Sequence, residues 1–161
     1  MRPRPVTGMW FEDFVVGAVV DHALTRTATE SDNVLFSALS MNPARLHLDH
    51  AYAAETEFEQ PLVNSMFTIA LLVGMTVPEL THGTTIANLG FGEITFPAPV
   101  FQGDTIWAET EIVATRDSSS RPNAGIVTFE HRGYNQHDAL VCRAVRTALM
   151  LRRPASDELS P

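Results

Sequence analysis

Apolar residues recur along this chain with two different periods, helical in the first half and alternating in the second. In "TESDNVLFSALS", Val34, Leu35, Ala38 and Leu39 form one stripe, with Thr29 or Ser31 available as a cap and Glu30 and Asp32 at the positive end of the dipole. That pattern predicts a helix which Pro43 ends or interrupts. A short helix is predicted from about Asp49 through "DHAYAAETEF". A long one follows from about Asn64 to Met75, apolar on nearly every face, which requires that something surround it. The wrapper is predicted in four segments rich in β-branched residues, "GTTIANLGFGEITF", "DTIWAETEIVATR", "GIVTFEHRGYNQ" and "ALVCRAVRTALMLRR". In the second of these, Ile106, Ala108, Thr110 and Ile112 face one side, and Trp107, Glu109 and Glu111 the other. The turn signals "QGD", "SSSRPNAG" and "NQHDA" predict that successive strands pair as antiparallel hairpins. Ahead of the helices, "FEDFVVGAVVDHALTRTAT" reads as an extended entry with a turn at Gly17. Helix first and antiparallel sheet afterwards is an α+β layout, with the sheet wrapped around the long central helix. The prediction is one domain over residues 1–153 and a disordered tail, "PASDELSP", over 154–161.

Composition narrows what such a domain does. At 161 residues the chain has room for one sizeable core. A formal charge of −8 leaves no basic face for a polyanion, so nucleic acid is excluded as the main partner. Every basic residue is an arginine, and with no lysine in the chain neither a Schiff base nor a lysine general base is available. The single cysteine, Cys142, cannot close an internal disulfide or pair with a second thiol on zinc, which fits a reducing cytoplasm. Prolines break the apolar run that "MRPRPVTGMW" would need as a signal peptide. "LVNSMFTIALLVGMTV" is interrupted by polar residues and is shorter than the roughly 20 residues that cross a bilayer. The expectation is a cytoplasmic protein without a membrane partner.

The polar chemistry gathers in "SMNPARLHLDH", Ser40 to His50. His47 lies just ahead of a predicted helix start, and histidine is the side chain that takes and returns a proton near neutral pH. Its alternative is a histidine that packs and hydrogen-bonds in a loop. Asp49 is placed as an N-cap ought to be. His47, Asp49 and His50 resemble a metal triad, but no further ligand completes a zinc set, and no metal is expected. Asn42, five residues before His47 and across Pro43, can orient a water or a carbonyl but cannot take a proton. Arg45 is a fork-shaped donor for a carboxylate or phosphate, or else a solvated surface residue. At the start of the long helix, the backbone N–H groups of Asn64, Ser65 and Met66 are candidate donors to a substrate oxygen, with side-chain capping by Asn64 or Ser65 the compatible alternative. Arg121, with Arg116, flanks a "DSSS" loop that could hold phosphate groups or be an ordinary hairpin turn.

The run "NPARLHLDHAYAAETEFEQPLVNSMF", followed by "PAPVFQGDT", resembles the MaoC-like dehydratase family, hot-dog hydratases of enoyl-CoA thioesters. The resemblance covers nearly the whole chain, and "VNSMFTIALLVGMTV", "GTTIANLG" and "SSSRPNAGIVTFEHRGYNQ" are similar to its mesaconyl-CoA and itaconyl-CoA hydratase branch. It implies a hot-dog fold, an acyl-CoA substrate with coenzyme A as part of it and no separate cofactor, and a homodimer or higher homo-oligomer. It also implies His47 as the catalytic histidine, Ala53 as the small residue on the following helix, and Ser65 at the position whose backbone N–H binds the thioester oxygen. The family carries an aspartate five residues before the histidine where this chain has Asn42. Three readings follow: Asn42 orients water for His47, another acid such as Asp49 substitutes, or hydration has been lost. The last would leave an acyl-CoA-binding subunit, and fold kinship alone adds thioesterase activity.

Overall fold

The computed structural model describes residues 7–154, so the predicted tail lies outside the described residues except for Pro154. The helices are α1 (Glu30–Leu39), α2 (Arg45–Leu48), α3 (His50–Ala54) and α4 (Ser65–Leu80). The strands are β1 (Val19–Asp21), β2 (Arg26–Thr27), β3 (Thr85–Thr95), β4 (Thr105–Asp117), β5 (Ala124–Tyr134) and β6 (Leu140–Leu151). All pairings are antiparallel in the order β1-β4-β5-β6-β3, with β2 also on β4. The extended entry thus supplies two short strands that cap the β4 edge.

The "QGD" turn is real but is not a hairpin. Gly103 takes φ 96 and its N–H donates to the Ala28 carbonyl at 2.8 Å, so the turn docks against the β2 segment. β3 pairs instead with β6. Here the predicted hairpin is corrected: a glycine turn establishes that the chain bends, not which strand it returns to.

Alternation in β4 places Ile106, Ala108, Thr110 and Ile112 inside, as expected. Ile106 and Ala108 meet Ile69, Leu72 and Met75 of α4, together with Val141 and Ala144 of β6. A second cluster around Phe14, Leu80, Val127, Phe129 and Met150 closes the other end. α4 runs to Leu80, five residues past its predicted end, and holds Pro78 within its last turn. The sheet covers only one flank of α4; Met66, Ala70 and Gly74, spaced one turn apart, remain exposed.

The inner face of the sheet also carries polar side chains. His22 Nδ1 lies 3.0 Å from Glu79, His22 Nε2 lies 2.8 Å from the Thr110 hydroxyl, and that hydroxyl lies 2.8 Å from His131 Nδ1. Burial holds His131 down to about 3, with the charge of Arg146 and then His22 adding to the effect, so its ring is neutral. Arg146 is 4% exposed, and its Nε has no acceptor among the described residues. Its guanidinium stands 5.7 Å from the Phe129 ring. That contact contributes about 0.5–2 kcal/mol, against a burial penalty of several kcal/mol for an ion without a partner. On the outer face Arg132 holds Glu109, Glu111 and Glu130, and Arg143 holds Glu93 and Glu130.

Candidate functional site

One buried side chain organises the site. Asn33 of α1 is fully buried and donates through Nδ2 to the His47 and Leu62 carbonyls, both at 2.9 Å. Its Oδ1 accepts from the Asn64 N–H at 2.8 Å. One amide therefore ties α2, the 62–64 segment and the start of α4 together. Ser37, one turn further along α1, accepts from Asn64 Nδ2 at 3.3 Å. The predicted apolar stripe of α1 is turned outward: Val34, Leu35 and Leu39 are exposed, while Asn33 and Ser37 are its buried residues. Neither was singled out from the sequence, because two polar residues one turn apart read as a solvent face. The available signal was that the rest of α1 after Asp32 is apolar.

His47 Nδ1 lies 3.0 Å from the Leu62 carbonyl oxygen. A carbonyl only accepts, so Nδ1 carries the proton and a neutral ring presents Nε2 as the free base. Leu62 in turn lines a cavity of about 260 Å³ with Val63, Ser65, Thr68, Pro97 and Val141. His47 is anchored to that wall through Leu62 without itself lining the cavity.

At the start of α4 the three candidate donors separate. The Asn64 N–H is held by Asn33, and the Met66 N–H donates to Asn64 Oδ1 at 3.0 Å, which makes Asn64 the N-cap. Neither backbone donor is left for a ligand, because satisfying the first turn internally consumes them. The Ser65 N–H and hydroxyl have no acceptor among the described residues, and Ser65 lines the cavity.

The other predicted residues lie apart. Asn42 accepts from the Ala44 N–H at 3.0 Å, bracing the turn at Pro43, and faces a different recess with Met41 and Leu48. Arg45 donates to Asp49 at 2.8 Å and stacks over Tyr52 at 4.5 Å. Asp49 caps α3 by accepting from the Tyr52 N–H at 3.0 Å, and that bond, then Arg45, holds its carboxyl below the usual range. His50 lies 3.0 Å from Glu30, away from His47. Ala53 is fully buried on α3. Arg121 occupies the β4–β5 turn, at the end of β4 remote from Thr105. The cavity belongs to the other end, where the Val63 N–H donates to Val100 and the Leu62 and Phe101 backbones pair.

The cavity thus offers one N–H and one hydroxyl at a helix start, with a fixed imidazole held against its wall. Such a set can stabilise charge on a carbonyl oxygen and move one proton.

Comparison with known proteins matches residues 13–135 to the model of the "MaoC like domain". The mesaconyl-CoA hydratase of Cereibacter sphaeroides is 32% identical over 152 residues, 91% of this chain and 42% of that protein. The (R)-specific enoyl-CoA hydratase of Aeromonas caviae is 38% identical over 105 residues, 65% of this chain and 73% of that one. Among solved structures, a Mycobacterium tuberculosis protein with a double hot-dog fold superposes with a TM-score of 0.83 at 25% identity, over 96% of this chain and 47% of that one. The chain spans less than half the length of the mesaconyl-CoA hydratases and the β-methylmalyl-CoA dehydratase it matches.

Proposed function

Because this chain belongs to the MaoC-like domain family, we propose that it is a hydro-lyase adding water to an enoyl-CoA thioester, or removing it, with coenzyme A as part of the substrate. The observation that carries the reading is the pairing of a base-ready His47 with the unoccupied Ser65 donors, through a shared Leu62–Asn64 segment. In hydration, His47 Nε2 takes a proton from water as the oxygen attacks the β-carbon. The alkene electrons move toward the thioester oxygen, where the Ser65 N–H and hydroxyl receive the developing charge. A proton then returns to the α-carbon. The Ser65 donors would supply about 3 kcal/mol of transition-state stabilisation, as typical of an oxyanion hole. Proton transfer by His47 would supply about 10²–10⁴-fold.

The finer reading is a short branched dicarboxylic acyl group, mesaconyl or itaconyl. The names of three relatives, each a mesaconyl-CoA hydratase, support the mesaconyl form. Purified protein mixed with crotonyl-, mesaconyl- and itaconyl-CoA tests both levels. Enoyl absorbance should fall with a mass gain of one water and no thiol release; thiol release instead would make the protein a thioesterase. Asn42 favours one second reading, a non-catalytic acyl-CoA-binding subunit, because its amide faces another recess. That reading requires binding of the thioester without turnover until another chain is added.

A further inference from the structure

We propose that the recess beside the C-terminal end of α4 binds a short-chain organic carboxylate, with Arg146 as its counter-ion. This site does not depend on the Ser65 cavity being catalytic. The two share no lining residue, and Ser65 and Thr81 stand roughly 24 Å apart along the helix at 1.5 Å per residue.

Arg146 projects from β6 onto the inner face of the sheet and is 4% exposed. Arg132 and Arg143 on the outer face of the same sheet hold two or more carboxylates each, yet no carboxylate or carbonyl accepts from the Arg146 guanidinium among the described residues. Phe129, its cross-strand partner, supplies a ring face rather than an anion. His131, two places along β5 on the same face, is neutral and also has an unpartnered Nε2. Nothing nearby neutralises the charge, and burial alone lowers the affinity of Arg146 for its proton.

Arg146 lines a recess of about 360 Å³. Val73 and Val77, one turn apart on α4, form an apolar wall, and Thr81, Thr85 and Asn88 bring polar groups to the same recess. A planar five-donor fork pairs with a carboxylate through two parallel hydrogen bonds. The valines give a two- to four-carbon tail an apolar surface that an inorganic oxyanion cannot use.

Titration of the full chain with butyrate, butyramide and inorganic phosphate, followed by NMR, tests the site. The Arg146 Nε–H signal, assigned by its loss in Arg146→Met, should shift saturably with butyrate. Butyramide and phosphate should bind at least tenfold more weakly. The Val73 and Val77 methyl signals should move together with it, while the Val63 methyls in the Ser65 cavity stay in place. If Arg146→Met does not fold, those valine methyls in the unsubstituted protein decide the question. No saturable response to butyrate, or an equal response to the neutral amide, overturns the proposal. Tighter binding of phosphate overturns the carboxylate assignment. Butyrate binding seen only after copies are separated by the double variant Leu89→Lys, Ile94→Lys would overturn it by showing that a side chain of a second copy fills the recess.

Discussion

His47→Gln is expected to lower the hydration rate by about 10²–10⁴-fold with an unchanged melting temperature, measured by stopped-flow absorbance and calorimetry. An unchanged rate would remove the proton role from that ring. Asn33 acts differently, since it touches only backbone. Asn33→Leu would strand the His47 carbonyl and the Asn64 N–H in the interior and leave the Leu62 carbonyl only the His47 ring, at about 1–3 kcal/mol for each group left unsatisfied. Denaturant unfolding should therefore show a loss well above that of an ordinary surface substitution, together with reduced turnover. His131 sets the acid limit. Its folded pKa of about 3 lies below the ordinary value of 6.5, so between those values the unfolded chain binds the extra proton. Stability therefore falls as pH drops from 6.5 toward 3, by up to about 1.4 kcal/mol per pH unit. His131→Phe should flatten that part of the stability–pH curve, read by urea titrations at several pH values; an unaltered slope would place the cause elsewhere.

At the scale of elements, the outer face of the sheet is stitched by carboxylate–arginine pairs from β3 across β6 and β5 to β4. Arg143, then Arg132, holds the Glu130 carboxyl below the usual range. Arg132→Met would leave Glu109, Glu111 and Glu130 facing one another, and a loss of about 1–2 kcal/mol is expected, shrinking as salt is added. Leu72→Ala on α4 should cost about 3–5 kcal/mol, since Leu72 is fully buried and packs over Gly133. These elements were largely legible in the sequence: β-branched composition located all four long strands, alternation assigned the faces of β4, and the caps of α1 and α3 fell at Thr29 and Asp49. Two things were not. The β3–β6 pairing is a long-range contact that no local turn signal encodes. The polar face of α1 is buried because Asn33 and Ser37 satisfy backbone and cap groups from distant segments, a relation visible only once those segments meet. The candidate site was legible in part for the same reason. His47 and Ser65 could be named from the chain, but the side chain that joins them could not.

Over the whole molecule, β3 leaves its outer edge unpaired among the described residues, with Leu89, Ile94 and Phe96 exposed near it. Such an edge recruits another strand, and we expect a second copy there. Light scattering should give about twice the 17.7 kDa chain mass, and the double variant Leu89→Lys, Ile94→Lys should return a single chain. A wild-type mass equal to one chain at micromolar concentration would remove that expectation. The strand order has a further effect during synthesis. β6 fits between β5 and β3, yet it follows Thr95 by 45 positions, at Leu140. On the ribosome, β3 must therefore wait without its neighbour while β4 and β5 are made, and the sheet closes in one late step when β6 inserts. A nascent chain stalled before residue 140 would display, besides the outer edge of β3, the two strand edges that β6 later covers, which makes that interval the one in which a chaperone has most to protect.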